Sequence, residues 1–152
     1  MIKQKKTLAN NHLKLRAMRP DDATALARIY LDTRLASFPW VKNPRLEDFV
    51  TVTQGEHVQV AIIEEEIVGF ASLSEEDSFL HLLFIKEGWQ NQGIGQQLLT
   101  WARQEVRRPL ELKVVRINKR AQQFYKREGF KIIATSILAN PANVTYRDDR
   151  NS

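Results

Sequence analysis

The residues Trp89-Gln90-Asn91-Gln92-Gly93-Ile94-Gly95 follow a compact apolar run and open a segment with helical periodicity. Glycines let a backbone approach an anion closely, and the first turn of a helix offers unpaired N–H groups at the positive end of its dipole. This is the grammar of a phosphate-gripping turn, and a pyrophosphate-bearing cofactor fits it. Spacing excludes two familiar alternatives. A dinucleotide fingerprint needs Gly-x-Gly-x-x-Gly and an acid about twenty positions later, but Gly95 is followed by Gln96, Gln97 and Leu98, and no acid ends a strand around Val114 and Val115. A Walker loop needs Gly-Lys-Ser/Thr, which occurs nowhere in the chain.

A second block stands further along: Asn118-Lys119-Arg120-Ala121-Gln122-Gln123-Phe124-Tyr125-Lys126-Arg127-Glu128-Gly129-Phe130. With Gln90-x-x-Gly93-x-Gly95 before it, the chain resembles the GNAT superfamily of acyl-CoA-dependent N-acyltransferases from Leu15 to about Tyr146. The resemblance implies an α/β (α+β) fold: a central mixed, mostly antiparallel twisted sheet of six to seven strands flanked by about four helices, with splayed central strands forming an acyl-CoA cleft. It implies an N-acetyltransferase that moves the acetyl group of acetyl-CoA to a primary amine by direct attack in a ternary complex. The acceptor, a small molecule or a peptide, is left open. The alternative is a non-catalytic acyl-CoA-binding regulatory protein acting through a protein partner.

The same resemblance assigns roles. The cofactor's pantetheine arm pairs with the strand around Leu83, Phe84 and Ile85, where a backbone N–H polarises the thioester carbonyl. Gln90, Asn91, Gln92, Gly93, Ile94, Gly95 and Gln96 cradle the pyrophosphate, and Asn118, Ala121, Phe124 and Tyr125 complete the cofactor site. Tyr125 is the general acid, since a phenol is protonated at neutral pH and can donate to a thiolate. Asn118 is a helix N-cap by its residue type and, by resemblance, a contact to the cofactor arm. For the general base, His81 stands in a strand reading beside Phe79 and Leu83, and an imidazole accepts protons near neutrality; Glu75, Glu76 or Asp77 acting through water is the alternative. Phe38 and Trp40 form either one wall of the acceptor pocket or an aromatic plug under a loop. The turn at Lys86-Glu87-Gly88 lacks the proline common in the family, and Gln90 replaces a frequent arginine, which leaves phosphate binding more dependent on backbone N–H groups.

Composition bounds these readings. A chain of 152 residues is one domain of ordinary size, here divided into a basic N-terminal segment 1–12, a single domain 13–147 and a tail 148–152. With no cysteine there is no disulfide, thiolate zinc site or cysteine nucleophile. His12, His57 and His81 lack ligand spacing, so no metal is expected. No apolar run approaches the length of a membrane span, and a soluble, cytoplasmic protein is expected. The net charge of +5 is unevenly spread: residues 1–19 hold six basic and no acidic groups, 20–102 five basic and thirteen acidic, and 103–152 twelve basic and five acidic. Acid clusters at 64–66 and 75–77 would repel a nucleic-acid backbone, so no nucleic-acid partner is expected.

Periodicity places the elements. A strand over 13–17 leads to a helix opened by Pro20-Asp21-Asp22, with Leu26, Ala27 and Tyr30 on one face, and ended before Pro39. A short helix is expected over 44–52. Val58, Val60 and Ile62 alternate and a turn at 64–66 returns the chain, predicting a hairpin. Phe79 to Ile85 is a buried strand. A helix carries Ile94, Leu98 and Trp101, a strand follows over 110–114, then a helix through Ala121 and Tyr125 closed by Gly129, a strand over 130–138 and a short one over 143–147. That last strand reads as a sheet edge that a partner chain could complete, giving a homodimer.

Overall fold

The computed structural model describes residues 12–150. Seven strands form one sheet in the order β1-β2-β3-β4-β5-β7-β6, where β1 is Leu13–Ala17, β2 His57–Ile63, β3 Glu66–Ser74, β4 Phe79–Ile85, β5 Glu111–Val115, β6 Phe130–Ser136 and β7 Asn143–Asp148. Four α-helices flank it among the described residues: α1 Ala23–Ser37, α2 Asp48–Thr53, α3 Ile94–Glu105 and α4 Lys119–Arg127. Every pairing is antiparallel except that of β4 with β5. The mixed, mostly antiparallel architecture expected from the sequence is the one observed.

Local chemistry sets the boundaries. Pro20 starts a single 3₁₀ turn rather than α1 itself. The carboxylate of Asp22 accepts the Arg19 N–H at 2.7 Å and a fork of two bonds from Arg16, at 2.7 and 3.0 Å. Arg16 beside it holds this carboxyl below the usual aspartate range. The helix α2 begins later than expected because Asp48 closes a turn first, accepting the Arg45 N–H at 2.8 Å. Between β2 and β3 only Glu64 and Glu65 intervene, both with positive φ, 47° and 71°; two such residues make the turn whose twist suits a two-residue hairpin.

Two apolar clusters fill the molecule. The smaller joins Leu26, Ile29 and Tyr30 of α1 and Phe49 of α2 to Val60, Phe70 and Phe84 of the sheet. The larger joins Ile94, Leu98 and Trp101 of α3 and Tyr125 of α4 to Leu80, Leu112 and Tyr146. The buried Arg34 pins the segment between α1 and α2, with bonds to Asp48 (3.0 Å), the Arg45 carbonyl (3.1 Å) and the Tyr30 carbonyl (3.0 Å).

Two irregularities in the sheet matter for the site. Leu73 of β3 pairs with Leu80 of β4, and Ser72 with Leu82, so His81 is an inserted residue. This bulge breaks the alternation expected of His81 with Leu83 while keeping it beside Phe79: Leu80 faces the larger cluster with Leu83 and Ile85, whereas Leu82 and Phe84 join the smaller one. The second concerns the last strand, which is not an edge. It lies between β5 and β6, pairing with both, and β6 forms the boundary of the sheet. The sheet edge that a partner chain could complete on this side is therefore β6 and not the final strand. The strand also runs on to Asp148, whose side chain is buried against Arg103.

Candidate active site

The site begins where β4 and β5 part. They pair only at Phe79 and Glu111, where the Glu111 N–H donates to the Ser78 carbonyl at 2.9 Å. On the other side β4 keeps its ladder with β3, whose phase is fixed by the bond from Lys86 N–H to the Val68 carbonyl at 2.8 Å. In an antiparallel ladder bonded and non-bonded pairs alternate, so Phe84 and Leu82 turn their peptide groups to β3. Leu83 and Ile85 turn theirs into the gap. An extended chain with amide groups could pair there as an extra strand does.

A cleft of about 540 Å³ occupies this gap. Residues 83–85 and 93–96, with Gln90, Asn91, Asn118, Ala121, Phe124 and Tyr125, line it, so two sequence blocks far apart in the chain meet at one cavity. Gln92 does not line it. Its side chain turns back to the Gly88 carbonyl at 3.4 Å and braces the loop. Trp89 anchors the same loop, donating its indole N–H to Glu66 at 3.1 Å.

The loop is shaped for an anion. Gly88, Asn91 and Gly93 have positive φ (89°, 63° and 83°), and Gly93 is the N-cap of α3. The first intrahelical bond runs from Gln97 N–H to the Gly93 carbonyl. The N–H groups of Ile94, Gly95 and Gln96 precede it and have no intrahelical acceptor. Around a Cβ added at Gly93 there is no atom within 4 Å, which leaves space for a ligand where a side chain would stand. Arg120 and Arg127 add positive charge to the wall. Arg127 was not singled out in the sequence; its place in the last turn of α4 was the available signal. The carboxylate of Glu128 also lines the wall but is occupied, taking the Gln96 amide at 3.0 Å and lying 3.6 Å from Arg103.

The two glycines differ, and a prediction follows. Gly93→Ala forces an L-residue into the left-handed region, at about 1–2 kcal/mol, and fills the open space. Gly95 has no such backbone, and an added Cβ meets Phe124 at 3.6 Å and Ile85 at 3.9 Å, ordinary contacts. Thermal melts are expected to show Gly95→Ala at or above the wild-type midpoint and Gly93→Ala below it.

Asn118 caps α4, its side chain accepting the Ala121 N–H at 3.2 Å. Tyr125, on the next turn, is buried, with its ring set edge-on to Phe124 and Phe130 at centroid distances of 5.0 and 5.6 Å. Burial pushes its phenol well above the usual tyrosine value. No hydrogen bond joins its hydroxyl to another described residue, and the cleft is bounded by it. Phe38 lines the cleft from the end of α1, packed on Phe84 at 5.7 Å, and Trp40 stacks behind it at 4.8 Å without reaching the cavity.

His81 stands apart from the cleft lining. Its Nδ1 is bonded to Glu56 Oε1. The acids at 75–77 are also outside it: Glu75 is bonded to His57 Nδ1, Asp77 takes the Ser74 hydroxyl at 3.1 Å and the Glu76 carbonyl takes Arg108 at 2.9 Å. Among the described residues no helix is long and apolar enough to cross a membrane.

Known structures share this architecture. The apo form of YjaB from Escherichia coli is similar with a TM-score of 0.74 at 23% identity, over 90% of this chain and 97% of that one. An acetyltransferase from Thermus thermophilus gives 0.71 at 26% identity, over 90% and 96%. The putative acetyltransferase yncA from Salmonella typhimurium, solved with its cofactor acetyl-CoA, gives 0.69 at 17% identity, over 93% and 97%. No curated protein matches the chain in sequence. The acetyltransferase (GNAT) domain family matches residues 54–132, a little over half of the chain and the part holding β2 to β5, α3 and α4, and the protein belongs to that family.

Proposed function

We propose that the protein transfers an acetyl group from acetyl-CoA to a primary amine by direct attack, with both substrates bound together. The observation that carries this reading is the gap between β4 and β5, bare of partners at Leu83 and Ile85 and continuous with the N-terminus of α3 and with Tyr125. When bound, acetyl-CoA supplies a thioester, whose carbonyl is open to an amine and whose sulfur is a good leaving group. The chain provides what that chemistry needs. The amides of Ile94, Gly95 and Gln96 hold the pyrophosphate, with Arg120 and Arg127 balancing further negative charge. The outward peptide groups of Leu83 and Ile85 hold the pantetheine arm, and an N–H there polarises the carbonyl. Tyr125 keeps its proton at neutral pH and presents it at Oη for the departing sulfur. With no cysteine in the sequence, no thiol is available to carry the acetyl group. The acceptor is a primary amine admitted past Phe38.

The test is calorimetric titration with acetyl-CoA, with NAD as comparator, followed by thiol release over pooled amines. Micromolar binding with release on an amine is expected. Binding without release across broad pools points to a regulatory acyl-CoA binder, and absence of binding to any CoA species overturns the reading.

A further inference from the structure

The bulge in β4 does more than change the facing of side chains. It sets His81 two residues before Leu83, the first position whose peptide groups enter the gap, and two after Phe79, where β4 and β5 still pair. The imidazole is held asymmetrically. Its Nδ1 meets Glu56 Oε1, and the Glu56 side chain is only 9% exposed and also takes the Ser72 hydroxyl at 3.3 Å, whereas the histidine side chain is 44% exposed. The Phe79 ring packs beside it at 4.8 Å. A carboxylate on one ring nitrogen fixes the proton there and leaves the other nitrogen its lone pair. The other histidine–carboxylate pair, His57 of β2 with Glu75, packs against Trp101 of α3.

We infer that Glu56 is a positioning residue for His81, fixing the Nδ1–H tautomer so that Nε2, set back from the cleft lining, accepts the proton of the attacking amine through an intervening water. The inference rests on the transferase reading above. As the N–C bond forms and the C–S bond breaks, Nε2 takes the amine's proton and Tyr125 Oη gives one to the sulfur, so protons balance without an external acid or base. Glu56 lies in the loop before β2, twenty-five residues from its partner.

The experiment measures turnover with acetyl-CoA and a panel of spermidine, lysine and an alanine-headed peptide, for wild type, Glu56→Ala, His81→Ala and the double variant, together with acetyl-CoA affinity and imidazole nitrogen-15 shifts. His81→Ala is expected to lose roughly 10²-fold in kcat, to be rescued in part by added imidazole, and to bind acetyl-CoA as wild type does. Glu56→Ala is expected to lose about tenfold and to let the tautomer drift, and Glu56→Gln to restore part of the loss, since its amide oxygen still accepts from Nδ1. The double variant is expected to be no slower than His81→Ala, because the carboxylate acts only through the ring. Independent, multiplying losses overturn the inference, as does an Nε2–H tautomer in wild type. A wild-type protein that binds acetyl-CoA but releases no thiol with any amine overturns the transferase reading itself, and the catalytic role with it.

Discussion

Tyr125→Phe is expected to lower kcat roughly 10²- to 10³-fold, about 3–4 kcal/mol of transition-state stabilisation, while acetyl-CoA affinity and melting temperature stay close to wild type. The contrast follows from the geometry. The ring contacts to Phe124, Phe130 and Tyr146 are kept by phenylalanine, and the lost hydroxyl bonds to no other described residue. The substitution thus removes a proton donor and little else. Stopped-flow or thiol-release kinetics at saturating donor give kcat, and calorimetry gives the affinity. The raised pKa of this phenol supplies a second signature. Its active form is the protonated one, and burial extends that form to higher pH, so Tyr125 contributes no alkaline loss of activity below the ordinary tyrosine value of about 10. An unchanged kcat in the phenylalanine variant would remove Tyr125 from the chemistry.

The largest effect on stability is expected at Arg103. Its side chain, 9% exposed, donates from Nε to Asp148 at 2.9 Å, bonds through Nη2 to the Glu128 carbonyl at the C-cap of α4, and lies over the Phe130 ring at 4.9 Å. One cation therefore ties the last turn of α3 to the end of β7 and the end of α4. Arg103→Met preserves much of the apolar volume but leaves Asp148 and Glu128, 8% and 12% exposed, without their counter-charge. Removing one partner of a buried pair costs about 3–5 kcal/mol, which for a domain of this size is a fall of roughly 6–20 °C in melting temperature. Adding Asp148→Asn to Arg103→Met is expected to recover part of the loss, because the unpaired charge goes with it. A fall of under a degree in the single variant would show that water satisfies these carboxylates.

The two site blocks were readable because each rests on a local rule. Gly93 occupies a left-handed N-cap that glycine favours, and Asn118 caps the helix that carries Tyr125. The hairpin of β2 and β3 followed from alternation and a two-residue turn. What escaped was set at a distance. The run Phe79–Ile85 has no polar alternation that a bulge would visibly break, so only the register with β3 reveals His81 as the inserted residue. Glu56 is one acid in a loop, and nothing nearby marks it as the partner of a histidine on another strand. The insertion of β7 is likewise a property of strand order, invisible in a segment whose composition suits an edge as well as a centre.

That insertion has a consequence for the order of assembly during synthesis. The strands β1 to β4 pair with neighbours in chain order and can dock as they leave the ribosome, but β5 and β6 are held together only by the segment 143–148. A nascent chain lacking that segment leaves β5 without its antiparallel neighbour and α4 between two strands that are not yet joined. Long-range pairing of this kind is slow relative to hairpin closure, so the cofactor groove is among the last parts of the molecule to exist.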